Sequence, residues 1–150
     1  MKMEENRNLR VGEALLKRAL EKSKETEDYL DKNLFWEAVA AAQECLEYSV
    51  KALMWLLGVI PRREHKPREQ DFAEVLNNAP DELKDVGLHK LYLYSKLWSS
   101  VYTIAKYGSE GLGYGPHELF EKEDAKLAIK HAKTANSLVN QVLYYIKSPW

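Results

Sequence analysis

Apolar side chains recur every three or four residues over most of this chain, the period of one-sided helices and not the alternation of strands. From about Asn6 to Leu30 they fall at Leu9, Ala14, Leu15, Leu16, Ala19, Leu20 and Leu30, with Lys and Glu on the outer face. A polar break from Asp31 to Asn33 precedes Phe35 to Leu57, the most hydrophobic stretch in the chain. One series there, Phe35, Val39, Ala42, Leu46, Ser49, Leu53 and Leu56, steps by fours and threes down one face. A second, Trp36, Ala40, Gln43, Glu47, Val50 and Met54, lies beside it. Two adjoining stripes, both largely apolar, predict a central helix with partners on more than one side. Gly58 is placed to end that helix as a left-handed cap.

Beyond it the pattern predicts a loop from Val59 to Arg68 and a short helix over Glu69 to Ala79, with Phe72, Val75 and Leu76 inward. A new turn follows at Pro80 and Asp81, then a long fourth helix from Leu88 to Tyr107. Gly108 to Pro116 holds four Gly in nine residues and reads as an unstructured connection. Lys122 to Lys147 is amphipathic, with Ala125, Ala128, Ile129, Ala132, Ala135, Leu138, Val139, Val142, Leu143 and Ile146 as its apolar positions. The expected fold is all-α, an antiparallel up-and-down helical bundle of four to five helices, with residues 1–150 forming a single domain.

Composition excludes several function classes. The 22 Lys+Arg against 23 Asp+Glu give a net charge of −1, so the whole molecule is not built to coat nucleic acid or an anionic membrane. Cys45 is the one cysteine, no Cys/His spacing resembles a zinc site, and no apolar run reaches the roughly 20 residues that span a bilayer. The start of the chain lacks a signal-peptide core, and a cytoplasmic setting without membrane association is the expectation.

Candidate chemistry is local. Arg62, Arg63, Lys66 and Arg68 face only Glu64 as a countercharge, a concentrated basic loop that also holds His65. It reads either as a solvated loop or as a phosphate-capturing turn, since Arg offers a planar fork and Lys a mobile charge. Lys106, Tyr107, Tyr114 and His117 flank the Gly-rich segment, where aromatic faces beside a cation suit a nucleotide base; the alternative is a plain inter-helix loop. No P-loop or dinucleotide fingerprint is present. Glu47 and Lys51 are in the favourable order for an i,i+4 ion pair. The stripe Tyr92, Tyr94, Trp98 and Tyr102 is expected in the core and at a dimer interface. His89 and His131 have no neighbouring nucleophile or paired acid, so no residue is assigned a catalytic role, and neither a metal nor a cofactor is expected.

The run from Phe35 to Leu53 resembles the signature helix of the HEPN family (higher eukaryotes and prokaryotes nucleotide-binding), in its small stand-alone prokaryotic and archaeal form. Ala42–Gln43, Glu47, Lys51 and Ala52–Leu53 match an aromatic-led helix with Ala-Gln, then Glu and Lys four apart, then Ala-Leu. Gly58, Pro61 and His65 match a Gly-then-Pro loop leading to a His, and Pro116, Asp124–Ala125 and Ala132 match a late block before the final helix. The resemblance spans about Leu9 to Leu143 and implies that Glu47 and Lys51 lie beside the groove between the central helices.

HEPN ribonucleases carry an Arg followed by a polar residue and a His near the start of the last helix. No Arg follows Arg68 in this chain, Lys106–Tyr107 stands where small relatives often show Arg-Tyr, and His117 lies beyond the Gly-rich loop. The resemblance therefore implies the non-catalytic branch. Such a protein binds a nucleotide or phosphate-bearing ligand, dimerises side by side, and works with a minimal nucleotidyltransferase in a toxin–antitoxin type pair, with RNA as a further partner. The competing expectations are a divergent HEPN endoribonuclease using His117 or His65 as its base, and a helical protein–protein scaffold.

Overall fold

The computed structural model describes residues 2–63 and 66–148. Among the described residues seven helices follow in order: α1 (Lys2–Asp31), α2 (Phe35–Leu56), α3 (Glu69–Asn78), α4 (Lys90–Ser99), α5 (Tyr102–Tyr107), α6 (Pro116–Leu119) and α7 (Lys122–Lys147), with a single helical turn at Asp81–Leu83. No strand is present among the described residues.

Cross-helix contacts fix the directions. Lys22 Nζ meets Glu44 at 2.9 Å, Arg18 lies over the Tyr48 ring and Arg7 over that of Trp55, so α1 and α2 are antiparallel. Cys45 faces Ala132 and Ser49 faces Asn136, so α2 and α7 run parallel. Tyr145 reaches Glu82 and Trp98 reaches His131, so the segment through α4 runs against α7. Counted as α1, α2, α4–α5 and α7, the chain is an all-α up-and-down bundle. The exposed ion pairs that mark this register contribute little stability; one hydrophobic cluster running from Leu16 through α2 to Val142 supplies the packing.

The two-stripe reading of α2 agrees with the structure: Val39, Ala42, Leu46 and Leu53 on one face and Ala40, Val50 and Met54 on the other are all buried. Gly58 has φ +78°, and the amides of Gly58 and Val59 donate to Trp55 and Met54, closing the helix with the paired bonds of a Schellman cap. On α1 the buried face is Gly12, Leu16, Ala19, Ser23 and Thr26, while Ala14 and Leu20 are exposed. Apart from Leu16, small residues line that contact because α2 approaches closely: a Cβ added to Gly12 would lie 2.7 Å from Leu56 Cδ2.

Two expectations need correction. The fourth helix is broken at Ser100 and Val101, where Ser99 and Ser100 hydroxyls donate to the carbonyls of Lys96 and Leu97 and compete with helix continuation. The Gly-rich connection is not unstructured, since Ser109 and Tyr114 exchange backbone hydrogen bonds of 2.9 and 3.2 Å as an antiparallel bridge. Pro116 then starts the short α6, using its fixed φ at the first helical position. Among the described residues no helix is long and apolar enough to cross a membrane.

Candidate functional site

Along one stripe of α2, Trp36 meets His117 of α6, and Gln43, Glu47 and Val50 line a cleft with Ser95 and Ser99 of α4. Gln43 interrupts a run of buried alanines, is only 7 % exposed, and its side-chain oxygen Oε1 has no hydrogen-bond donor among the described residues. It lines a small cleft of about 50 Å³ together with Glu47, Val50, Lys66, Pro67, Ser95 and Ser99. Lys66 closes the cleft from the basic segment, its ammonium donating to the Ser99 carbonyl at 3.3 Å. That carbonyl is near the end of α4, where helical carbonyls lack partners and attract a cation. Glu47 pairs with Lys51 at 2.9 Å, the i,i+4 bond its spacing predicts, and remains half exposed at the cleft.

One residue along α2, Glu44 joins three elements: it accepts from Lys22 of α1 at 2.9 Å and from the Tyr102 hydroxyl of α5 at 2.9 Å. Burial, followed by the hydrogen bond and charge of Glu44, pushes the Tyr102 hydroxyl up to about 12, so it stays a donor. The same carboxylate raises Lys22 further above the ordinary lysine range, against the opposing effect of burial. Lys106 lies over the Tyr102 ring, 5.9 Å from its centroid.

The candidate residues do not gather at one point. Arg62 and Arg63 are exposed, whereas Arg68 is committed to Asp71, which accepts the Arg68 amide at 2.8 Å and its guanidinium at 3.2 Å as the cap of α3. Burial would raise the Asp71 carboxyl, but the Arg68 amide and guanidinium, helped by the charge of Arg62, hold it below the usual carboxylate value. His65 lies outside the described residues. His117 stands edge-on to Trp36 with ring centroids 6.1 Å apart, at the first turn of α2. The basic segment leaves the other end of that 22-residue helix, about 30 Å away, and only Lys66 folds back to mid-helix. Tyr107 and Tyr114 are exposed, and Lys106 covers Tyr102.

The stripe expected to serve both core and interface divides differently: Trp98 is buried, and Tyr92, Tyr94 and Tyr102 pack against the core. Gln43, Glu44, Ser95, Ser99 and Tyr102 were not among the sequence's candidate ligand residues, and Lys66 entered only as part of the basic loop. Gln43 alone carried a readable signal, a polar side chain inside the most apolar helix; the others depend on pairings across 33 to 58 residues of chain.

A wider concavity of about 890 Å³ lies along the last turns of α7 beside Leu83, and its lining is mostly apolar. Among the described residues no three His, Cys, Asp or Glu side chains cluster as metal ligands would. The HEPN domain model matches residues 13–142, nearly the whole chain. The chain belongs to the HEPN family. No curated protein and no solved structure matches it. HEPN membership brings a nucleotide- or RNA-related function. In this HEPN chain the signature residues divide by role: Ala42, Ala52 and Leu53 are core, Gln43 and Glu47 line the cleft, and Lys51 holds Glu47.

Proposed function

We propose that this HEPN protein binds a nucleotide or other phosphate-bearing ligand along the α2 groove and acts, as a homodimer, with a minimal nucleotidyltransferase in a toxin–antitoxin type pair. Residues 1–150 serve as one domain in this reading, and the setting is cytoplasmic. The observation that supports ligand binding is Lys66, which reaches from the basic segment to Ser99 and brings that segment against a polar cleft in an otherwise apolar helix. Arg62 and Arg63, exposed on the same segment, are free to meet phosphate oxygens as planar forks, while Arg68 is spent on capping α3. His117, edge-on to Trp36, stands toward the first turn of α2 and, with Lys106 and the exposed Tyr107 and Tyr114, would offer further contacts to a longer ligand such as RNA.

Isothermal titration with mononucleotides and with inorganic phosphate tests the reading. Binding should weaken as salt rises and should fall about tenfold when Arg62 and Arg63 are both exchanged for Ala. A chain that takes up no heat from any nucleotide sinks the proposal. Co-expression with a minimal nucleotidyltransferase encoded beside this chain should yield a complex or a modified HEPN protein, visible by intact mass.

A further inference from the structure

Leu112 stands in an ordered turn with 69 % of its surface exposed, and Tyr114 beside it is 51 % exposed. The turn is closed on itself. Ser109 and Tyr114 pair through their backbones, the Gly113 amide donates to the Ser109 carbonyl at 2.9 Å, and the Leu112 amide donates to the Ser109 hydroxyl at 3.2 Å. A Cβ added to Gly111 or Gly113 would meet nothing within 4 Å, so Leu112 projects between two bare stretches of backbone with open space on either side. A side chain so placed can enter a pocket whose walls close around it down to the backbone. Because the turn is already ordered, it has little conformational freedom left to lose on binding.

Charge selects the partner. Residues 109–124 hold Glu110, Glu118, Glu121, Glu123 and Asp124, all exposed, against Lys122 as the one lysine or arginine. Glu110 lies in the turn, and Glu118 accepts the Gly115 amide at 3.1 Å, so carboxylates flank the exposed pair at the turn and at its exit. That surplus repels a nucleic acid or an anionic bilayer and attracts a protein surface bearing Lys or Arg. We propose that the turn of residues 109–114 is a protein-docking knob, which seats Leu112, with Tyr114 beside it, in an apolar pocket rimmed by cations. The minimal nucleotidyltransferase is the partner assigned to it, an inference that rests on the pair reading above. Tyr114 is then a protein contact, and RNA at this turn is the competing outcome.

Calorimetric titration of the full chain with that nucleotidyltransferase tests this. The wild-type complex should weaken as salt rises, and Glu110→Lys should weaken it further while flattening the salt dependence. Leu112→Ala should cost about tenfold in affinity and Leu112→Glu about a hundredfold. Helical content and melting temperature should not change in either, since the side chain is mostly exposed. Leu112→Met, apolar and of similar volume, should keep wild-type affinity. A short oligoribonucleotide titrated against the same variants separates the two classes of partner: RNA affinity lost in Leu112→Glu with the protein complex intact overturns the knob in favour of RNA. A complex unaltered by both Leu112→Ala and Leu112→Glu overturns the knob while the pair reading stands. Absence of any complex with the wild-type chain overturns both.

Discussion

His131 lies flat against Tyr94, with ring centroids 4.0 Å apart at 9°, and its Nδ1 accepts the Trp98 indole N–H at 2.9 Å. An acceptor nitrogen carries no proton, so protonating this imidazole at Nδ1 breaks the bond joining α4 to α7. Burial, with Lys130 adding a smaller effect, lowers its pKa below the ordinary histidine value. The unfolded chain then binds the proton more readily than the folded one. Stability should be fully present above about pH 6.5 and decline as pH falls from there through the folded-state value. Urea midpoints between pH 8 and pH 5 measure this. His131→Phe, which keeps the stack and removes the titration, should flatten the decline while lowering stability throughout, because Trp98 loses its acceptor. From the sequence His131 was only a helical histidine without a neighbouring nucleophile. Its partner lies 33 residues away, and no periodicity encodes that meeting.

At the scale of the element, the long helices were legible and their interruptions were not. α2 and α7 carry sustained three-and-four spacing, so their faces and near boundaries followed from pattern. On α1 the same pattern pointed to Leu20, which is exposed, and passed over Ser23 and Thr26, because a close helix contact selects for size before polarity. The break after α4 comes from serine hydroxyls bonding their own helix, and the ordering of the glycine segment comes from one backbone bridge. That bridge gives a test. Gly108 has φ +74°, and an added Cβ would stand 2.5 Å from the Tyr114 carbonyl oxygen, so both backbone strain and backbone overlap oppose any side chain. Gly108→Ala should destabilise the segment by about 1–3 kcal/mol, seen as a lower melting temperature and faster hydrogen exchange at the Ser109 and Tyr114 amides. Gly111→Ala, where an added Cβ meets nothing within 4 Å, should change neither.

For the whole molecule, the question is which face meets a second copy in the proposed dimer. The aromatic stripe of α4 faces inward, but its neighbour does not: Leu93, Leu97, Ile104 and Tyr107 are all exposed, Leu93 by 62 % and Tyr107 by 77 %. Leu93 and Leu97 lie one turn apart on α4, and Ile104 and Tyr107 about one turn apart on α5, on either side of the break at Ser100 and Val101. The two pairs are spaced alike about that break, so an antiparallel copy would set α4 of one chain beside α5 of the other, the self-complementarity a two-fold interface requires. The cleft at Ser95 and Ser99 lies on the other side of α4, which lets two copies pair without closing it. Leu97→Glu places a charge at the middle of the seam while touching little of the protomer core. It should convert a dimer to a monomer in size-exclusion light scattering with helical content unchanged. Trp98→Glu, one residue along, should instead unfold the protomer, because that side chain is buried and bonded to His131. A wild-type chain that remains strictly monomeric at tens of micromolar would refute the seam as a self-interface, and an L97E variant that still dimerises would move the interface elsewhere on the bundle.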